Sequence, residues 1–254
     1  MIRRITTYCI LLIVSLVMVG CYPHREVGFL QTRKGLPTYE PQEYKPYRLH
    51  RNDEVIYRLV TMDETISKVM DQNQGSSSGQ NTMGYRIHAD GTVDLPFLKP
   101  LPIVGLTLKE AQKRIQDSMR VVIPDAEVRL ALNNKTFSVL GDIGAGQYEV
   151  YKDKLTIFQA LAMTGDVDIR GNRKKVRIIR PVDNQEPIVL EFDIRTNSII
   201  GSEYYYIYPN DLIYVERSKG SFFKVDSYTG FLGLITSSVN LFISILNYTT
   251  LINQ

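Results

Sequence analysis

Few side chains in this 254-residue chain are placed to do metal or covalent chemistry. Its three histidines, His24, His50 and His88, lie far apart in the sequence, and none is at metal-ligand spacing from another histidine or from a cysteine. The two cysteines, Cys9 and Cys21, both fall near the N-terminus. We therefore predict no metal site and interpret the histidines as surface residues.

The carboxylates and glycines offer equally little chemistry. Asp53 and Asp211 each follow an asparagine, so we interpret them as turn residues rather than as an acid/base pair. Gly141, Gly144 and Gly146 form a GxxGxG pattern, which differs from the spacing of a phosphate-binding loop and is better explained by a hairpin turn. We predict no cofactor, and we do not expect the chain to be an enzyme.

Residues 1–20 have the organisation of a secretory signal peptide. Arg3 and Arg4 precede an apolar run over residues 10–19, and Gly20 supplies a small residue at the end. The apolar run is short for a comfortable membrane span. A cleaved signal is therefore the preferred interpretation, and an uncleaved anchor helix is the alternative.

The signal peptide resembles that of a bacterial lipoprotein, because Cys21 directly follows Gly20. The resemblance implies cleavage before Cys21 and attachment of acyl chains, such as palmitate, to that residue. Tyr22 stands behind the cysteine where an aspartate would favour retention at the inner membrane. By the same resemblance, we expect a lipid-anchored protein of the bacterial outer membrane with its main body in the periplasm.

Charge and cysteine usage exclude further classes. The formal net charge is +3, and removal of Arg3 and Arg4 with the signal lowers it to +1. This balance argues against a nucleic-acid-binding protein, which needs a basic patch or stripe. With Cys9 removed and Cys21 acylated, no disulfide is possible, so the fold must be held by its hydrophobic core.

The sequence pattern predicts an α+β protein of two small domains. After the signal, we expect a lipidated tether, two successive α+β domains and a C-terminal membrane helix, and these cover residues 21–46, 47–134, 135–218 and 227–252. A polar, Gly- and Ser-rich stretch at residues 71–83 is predicted to be a surface loop within the first domain.

In the first domain, two motifs predict a hairpin covered by a helix. Asp90-Gly91 lies between alternating segments and predicts a tight hairpin turn in which both residues have positive φ. Thr107 and Glu110 form a capping box that starts a helix. The helix presents one apolar face to the hairpin, formed by Leu108, Ala111, Ile115 and Met119.

In the second domain, the pattern predicts a small sheet crossed by one helix. The helix is expected over residues 155–164, with Gly165 at its C-terminal end. Strands are predicted at residues 137–140, 173–180, 188–194 and 204–216. Tyrosines alternate in the last strand, so one set would face outward. These side chains could stack on sugar rings or fill a subunit interface, and packing in the core or at an interface is the preferred interpretation.

The two domains share a local sequence echo. Asn52-Asp53 and Asn210-Asp211 both lead into an apolar strand, and asparagine tolerates the left-handed conformation that a tight turn requires. Two interpretations remain open, namely a recurring local turn and a true internal duplication.

These motifs, in order, resemble the polysaccharide export proteins. YRLHRNDEV, GYRIHADGTVDLPFL and LTLKEAQKRI resemble the first domain of that family, and GDIGAGQY, LTIFQALAMTGDV, VRIIRP and PNDLIYV resemble its soluble-ligand-binding β-grasp repeat. Together they cover about residues 47–217. The chain departs from the family pattern at several turn positions, which include Asn52, Ala145, Thr164, Asp166 and Asn210. The turn residues of interest are Asn52, Asp53, Gly144, Gly146, Tyr148, Gly165, Asn210 and Asp211.

The C-terminal segment from Ser227 to Gln254 contains no charged residue and is long enough to cross a bilayer as a helix. Small and uncharged polar residues recur along it at spacings of four and three, which places Gly233, Ser237, Asn240, Ser244 and Asn247 on one face. Such a stripe would suit a helix that faces the lumen of a ring. A plain anchor whose polar residues bond neighbouring helices is the alternative.

The combined features predict an outer-membrane channel subunit for capsular or exopolysaccharide export. The family resemblance implies a homo-oligomeric ring, a pore made of C-terminal helices, and an inner-membrane polysaccharide co-polymerase as partner. The alternative is a membrane-anchored, glycan-binding periplasmic adaptor without a pore.

Overall fold

The structure is a computed structural model that describes residues 28–64, 66, 84–168, 170–218 and 228–252. The predicted signal peptide, the lipid-attachment residue Cys21 and the loop at residues 71–83 lie outside the described residues. Within the described part, the strands form separate sheets and helices pack beside them, which confirms the α+β class. Two hydrophobic cores form, one within residues 49–132 and the other within residues 137–215.

The first core lies under a small antiparallel sheet of order β2-β1-β5, built from β1 (Glu54–Val60), β2 (Gly84–Arg86) and β5 (Glu127–Leu132). Alternation along β1 buries Val55, Tyr57 and Leu59. Each pairs with a buried partner on β5, namely Leu132, Leu130 and Val128. The period-two pattern of both strands therefore fixes one apolar face.

Helix α1 (Leu108–Arg120) covers this face, as its sequence predicts. The capping box at its start is formed, with the Glu110 amide donating to the Thr107 hydroxyl and the Thr107 amide donating to the Glu110 carboxylate. Ala111, Ile115 and Met119 are fully buried. The predicted helix and its apolar face are confirmed.

The Asp90-Gly91 hairpin forms, but its turn type differs from the prediction. Across the Asp90-Gly91 turn, Ile87 pairs with Val93. Val93 belongs to β3 (Thr92–Val93), which pairs in turn with β4 (Leu101–Pro102). Only Gly91 has a positive φ, at 85°, and its amide donates to the His88 carbonyl. The prediction that Asp90 also has positive φ was wrong, because the longer loop puts a single left-handed residue after an ordinary turn.

The second core lies against a five-stranded mixed sheet. Its strands are β6 (Thr136–Gly141), β7 (Gly146–Glu149), β8 (Gly171–Val182), β9 (Gln185–Phe192) and β10 (Leu212–Arg217), in the order β7-β6-β10-β8-β9. The central pair β6 and β10 is parallel, and the other pairs are antiparallel. Central Ile213 and Val215 are fully buried.

Helix α2 (Ile157–Met163) crosses this sheet and ends two residues before Gly165. Thr156 and Gln159 form a second capping box at its start. At its end, Gly165 has φ of 87°, and the Asp166 amide donates to the Leu161 carbonyl. This arrangement satisfies the last carbonyls of a short helix.

The predicted strand over residues 204–216 was wrong in its first half, since β10 begins at Leu212. The Tyr205 amide bonds the Ser202 carbonyl, and the Ile207 amide bonds the Leu155 carbonyl, so this stretch follows turns rather than a strand ladder. The tyrosines therefore do not alternate between two sheet faces. All four, Tyr204, Tyr205, Tyr206 and Tyr208, are half-buried.

Residues 28–41, predicted as part of a tether, lie along the second sheet unit. The Gln31 amide donates to the Arg195 carbonyl, and the Asp193 amide donates to the Tyr39 hydroxyl. The Tyr39 ring also packs edge-on against Tyr204, with centroids 4.9 Å apart. Aromatic side chains anchor this segment without any helical or strand periodicity, which explains why its sequence pattern resembles a linker.

Helix α3 (Tyr228–Ile252) forms the C-terminal segment. Its stretch Leu232–Thr249 has a mean hydropathy of 1.3, and none of it is buried against the rest of the chain. By length and composition this helix could cross a membrane, since eighteen residues rise about 27 Å.

Candidate functional site

The two Asn-Asp turns have the same geometry. Asn52 and Asn210 adopt φ of 66° and 67°, in the left-handed region. In each turn the aspartate side chain accepts a 2.8 Å hydrogen bond from the amide three residues earlier, from His50 to Asp53 and from Tyr208 to Asp211. The sequence echo therefore corresponds to a repeated structure.

The two turns meet at the junction of the two sheet units, which the sequence did not indicate. The Asn210 side-chain amide donates to the Asp53 carboxylate over 3.2 Å. A short ion pair between Arg51 and Asp183, on the β8–β9 loop, adds a second link across the junction. Both asparagines are exposed, whereas Asp53 and Asp211 are buried at 1% and 0% exposure.

The two carboxylates are satisfied by different partners. Asp211 forms a two-pronged ion pair with the Arg180 guanidinium, at 2.9 and 2.8 Å. Asp53 instead accepts hydrogen bonds from neutral donors, which include the Tyr47 hydroxyl at 2.8 Å. The Tyr47 hydroxyl also lies 2.9 Å from Nδ1 of His50, which extends the network.

Burial governs the proton affinity of this network. Desolvation raises the pKa of Asp53 above its usual value, and the hydrogen bonds from His50 and Tyr47 oppose that rise. Desolvation also raises the pKa of the Tyr47 hydroxyl, and the nearby Asp53 carboxylate raises it further. The side chains of Tyr47, His50, Asp53 and Asn210 thus form one connected hydrogen-bond network.

The glycine-rich turn between β6 and β7 packs against the end of α2. A side chain at Gly144 would overlap the Thr164 carbonyl oxygen, so only glycine fits there. The Tyr148 hydroxyl donates to the Gly144 carbonyl over 3.0 Å, and its ring stands over Gly146. Gly144, Gly146, Tyr148 and Gly165 thus shape one edge of the second unit, away from the Asn-Asp turns.

Residues 42–48, here called the junction segment, lead from the second unit to the first. A cavity of about 430 Å³ on one side is lined by Arg180, Tyr206 and Tyr208. A second cavity of about 350 Å³ on the other side is lined by the start of α1 and by Lys154. Tyr44 and Tyr47 line both cavities, and we call the two together the junction cleft.

Sequence reasoning missed most of this junction. It identified both Asn-Asp turns but not Arg180, Tyr44 or Tyr47, whose roles depend on the contact between the two units. The unusual density of tyrosine at residues 39–47 and 204–208 was the available signal. No group of three or more potential metal ligands occurs in the described part of the chain.

The predicted stripe residues all lie on α3. Gly233, Ser237, Asn240 and Ser244 are exposed, as is Asn247. Several hydroxyls of this helix bond backward to helix carbonyls, including Ser238 to Leu234 and Ser244 to Asn240. The predicted lipid-attachment residue Cys21 lies outside the described residues.

Comparison with known families supports the resemblance seen in the motifs. A family model described as polysaccharide biosynthesis/export protein matches residues 41–133. This stretch contains the Asn52-Asp53 turn, the hairpin at Gly91 and the capped helix α1. Residues 41–133 therefore match a polysaccharide biosynthesis/export domain, which supports a polysaccharide export-related protein.

Proposed function

We propose that the protein is an outer-membrane channel subunit for capsular or exopolysaccharide, which oligomerises into a ring whose α3 helices form the pore. The observation that carries the proposal is a charge-free helix, unburied by its own chain and polar on one face, in the same chain as a polysaccharide export domain. One helix cannot enclose a channel. A closed ring of identical, head-to-tail contacts supplies the missing walls.

Two polar side chains on α3 support a lumen-facing stripe. Off the stripe, the Ser238 and Thr249 hydroxyls bond to carbonyls of their own helix, and such groups can face lipid without an unsatisfied donor. The stripe residue Ser244 does the same. The stripe side chains of Ser237 and Asn240, however, have no hydrogen-bond partner among the described residues. Water or sugar hydroxyls in a lumen would satisfy them.

The course of the two chain ends supports attachment of the body to one membrane. The Phe29 ring lies 5.1 Å from the Arg173 guanidinium, and the Ser218 amide bonds the Arg170 carbonyl. Residues 29 and 218 therefore leave the same end of the second unit. Six residues separate Cys21 from Gly28, so the seven Cα-to-Cα steps between them span at most about 25 Å of extended chain. An acylated Cys21 and α3 can then reach the same bilayer.

The remaining parts of the proposal follow from the export family. The lipidated protein would sit in the outer membrane with its body in the periplasm. An inner-membrane polysaccharide co-polymerase would deliver the polymer to the ring. The second unit would act as a β-grasp domain, which agrees with its sheet crossed by one helix.

The test compares detergent-extracted, lipidated protein with a variant truncated after Lys224. We expect the full chain to form a large discrete oligomer and to make liposomes permeable to glucose polymers, and we expect truncation to remove the permeability. A monomer that leaks no polymer in either form would contradict the proposal.

The second candidate is a membrane-anchored, glycan-binding adaptor without a pore. The backward hydrogen bonds of Thr236, Ser238 and Ser244 favour it, because they let much of α3 lie in lipid as a plain anchor. An adaptor would be monomeric in detergent and would bind sugar without conducting it, so the same experiment separates the two candidates.

A further inference from the structure

We propose that the junction cleft is a binding site for a short stretch of acidic glycan, held between the two sheet units. The inference rests on the proposed export function and deepens it by naming the chemistry of the polymer that the body contacts. The cleft flanks the junction segment on both sides, and its two cavities, of about 430 and 350 Å³, have the size of small-ligand sites.

Tyrosine rings form the apolar part of the cleft. Tyr44 lies 4.9 Å from Tyr206 and 6.1 Å from Tyr208, between ring centroids, and Tyr47 lies 6.5 Å from Tyr208. All four side chains are half-buried. A sugar ring has faces of C–H bonds that pack on aromatic rings, while its hydroxyls need polar neighbours. Amphipathic aromatic side chains supply both.

These rings are held in position before any ligand arrives. The Tyr44 hydroxyl donates to the Asp153 carbonyl, and the Tyr208 hydroxyl donates to the Lys45 carbonyl, both over 2.6 Å. The Arg180 guanidinium, itself fixed by Asp211, stacks 4.3 Å from the Tyr208 ring centre. A preorganised aromatic wall loses little conformational entropy when a ligand binds.

The charge of the smaller cavity favours an acidic ligand. Its lining carries Lys109, Lys135 and Lys154 against the single carboxylate of Asp153. The larger cavity is mixed, since Lys45, Arg48 and Arg180 line it together with Glu43 and Glu203. Lys109 and Lys154 are exposed, and neither has a carboxylate partner within the described residues. Lys154 stands 4.9 Å from the Tyr44 ring centre, at the point where a sugar stacked beside that ring would carry its substituents. A uronic acid carboxylate would complete these contacts.

Both sheet units contribute walls, so a bound glycan would bridge them. The first unit supplies His50 and the start of α1, and the second supplies Tyr206, Tyr208 and Lys154. A ligand that binds the folded protein and touches both units stabilises it by an amount that grows with the logarithm of ligand concentration above the Kd. Binding should therefore raise the unfolding temperature of the protein.

The test titrates the full-length protein in detergent with tetragalacturonate and, as a neutral comparison, with maltotetraose. We expect tetragalacturonate to bind, Tyr206→Ala to weaken its binding about ten-fold, and Lys154→Gln to weaken it about three-fold at low salt but little at high salt. The matched controls are Tyr151→Ala and Lys99→Gln, which alter an exposed tyrosine and an exposed lysine that line neither cavity.

Absence of tetragalacturonate binding would overturn the proposal, as would equal binding of the neutral sugar. So would binding that both Tyr206→Ala and Lys154→Gln leave unchanged, and Lys154→Gln keeps the test valid if Tyr206→Ala fails to fold. Oligomer mass and liposome permeability are measured on the same samples. If the protein forms the oligomer and makes liposomes permeable but does not bind tetragalacturonate, the cleft proposal alone is overturned. If it binds tetragalacturonate but forms no oligomer and leaves liposomes impermeable, the channel proposal is contradicted.

Discussion

The two Asn-Asp turns repeat one backbone geometry with two different ways of neutralising a buried carboxylate. Both aspartates cap a turn whose asparagine has φ near 66°, and both are almost fully buried. Asp211 faces the Arg180 guanidinium, whereas Asp53 faces the Tyr47 hydroxyl, the His50 amide and the Asn210 side chain. The local sequence fixes the turn, and the tertiary partners decide whether the carboxylate is paired with a charge.

This difference makes the junction between the two units asymmetric. The Arg180–Asp211 pair lies within the second unit, so that turn is completed by its own sheet. Asp53 depends on Asn210 of the second unit, so the first turn is completed across the junction. Substitutions in the second turn should therefore destabilise the protein more than substitutions in the first.

Asp211→Asn should have the largest effect, a loss of about 3–5 kcal/mol in the free energy of unfolding. The change leaves the Arg180 guanidinium, whose side chain is only 19% exposed, without its carboxylate. Chemical unfolding followed by circular dichroism measures the loss. The double variant Asp211→Asn with Arg180→Met should recover part of it, and a loss no larger than that of Asp53→Asn would contradict the contrast between the turns.

Tyr47→Phe should have an intermediate effect, a loss of about 1–2 kcal/mol. The substitution keeps the ring but removes the hydroxyl that donates to the buried Asp53 carboxylate. The same unfolding measurement applies, with Tyr151→Phe at an exposed position as its control. If both variants had the same stability, the Tyr47 hydroxyl would have no part in satisfying Asp53.

Asp53→Asn should cost no more than about 1 kcal/mol at neutral pH, because neutral donors hold the buried Asp53 carboxylate and His50 adds only a minor Coulombic attraction. Its effect should depend on pH. The folded pKa of Asp53 is raised above 3.8, so the stability that its protonation contributes is present at low pH and is lost as pH rises through the folded pKa. The asparagine side chain in the variant does not titrate, so the variant does not lose stability in this way as pH rises.

The penalty of Asp53→Asn relative to wild type should accordingly be larger near pH 4 than at pH 7. Unfolding curves of both proteins across this range give the sign directly. A penalty that grows as pH rises would mean that the folded protein lowers the pKa of Asp53 instead.

The smallest effect separates Asn210→Gly from Asn52→Gly. Glycine suits the positive φ of both positions, and the extra freedom of the unfolded chain costs the same in each variant. Asn210→Gly additionally loses the 3.2 Å hydrogen bond to Asp53, so it should be less stable than Asn52→Gly by about 0.5 kcal/mol. Equal stabilities would show that this bond contributes nothing to the junction.

Features set by neighbouring residues were predictable from the sequence. The capping box of Thr107 and Glu110 and the apolar face of α1 depend on spacings of three and four residues, and they appear as expected. The hairpin at Gly91 was correctly placed, but its turn type was not, because loop length decides how many residues take positive φ.

Features set by contacts between distant segments were not predictable. The tyrosines at residues 204–206 read as a strand, yet turns and the packing of Tyr39 and Tyr44 decide their placement. Both Asn-Asp turns were identified, but nothing in the sequence indicated that Asn210 reaches Asp53. The partners of these side chains come from segments more than a hundred residues away.

The most direct test of the proposed pore is thiol labelling of α3 in liposomes with a membrane-impermeant reagent. In the proposal Cys9 is removed and Cys21 is acylated, so the wild type offers no free thiol. Ser237→Cys lies on the polar stripe, and Ile235→Cys lies at nearly the same depth on the opposite face. We expect rapid labelling of Ser237→Cys and none of Ile235→Cys, whereas equal protection of both would contradict a lumen-facing helix.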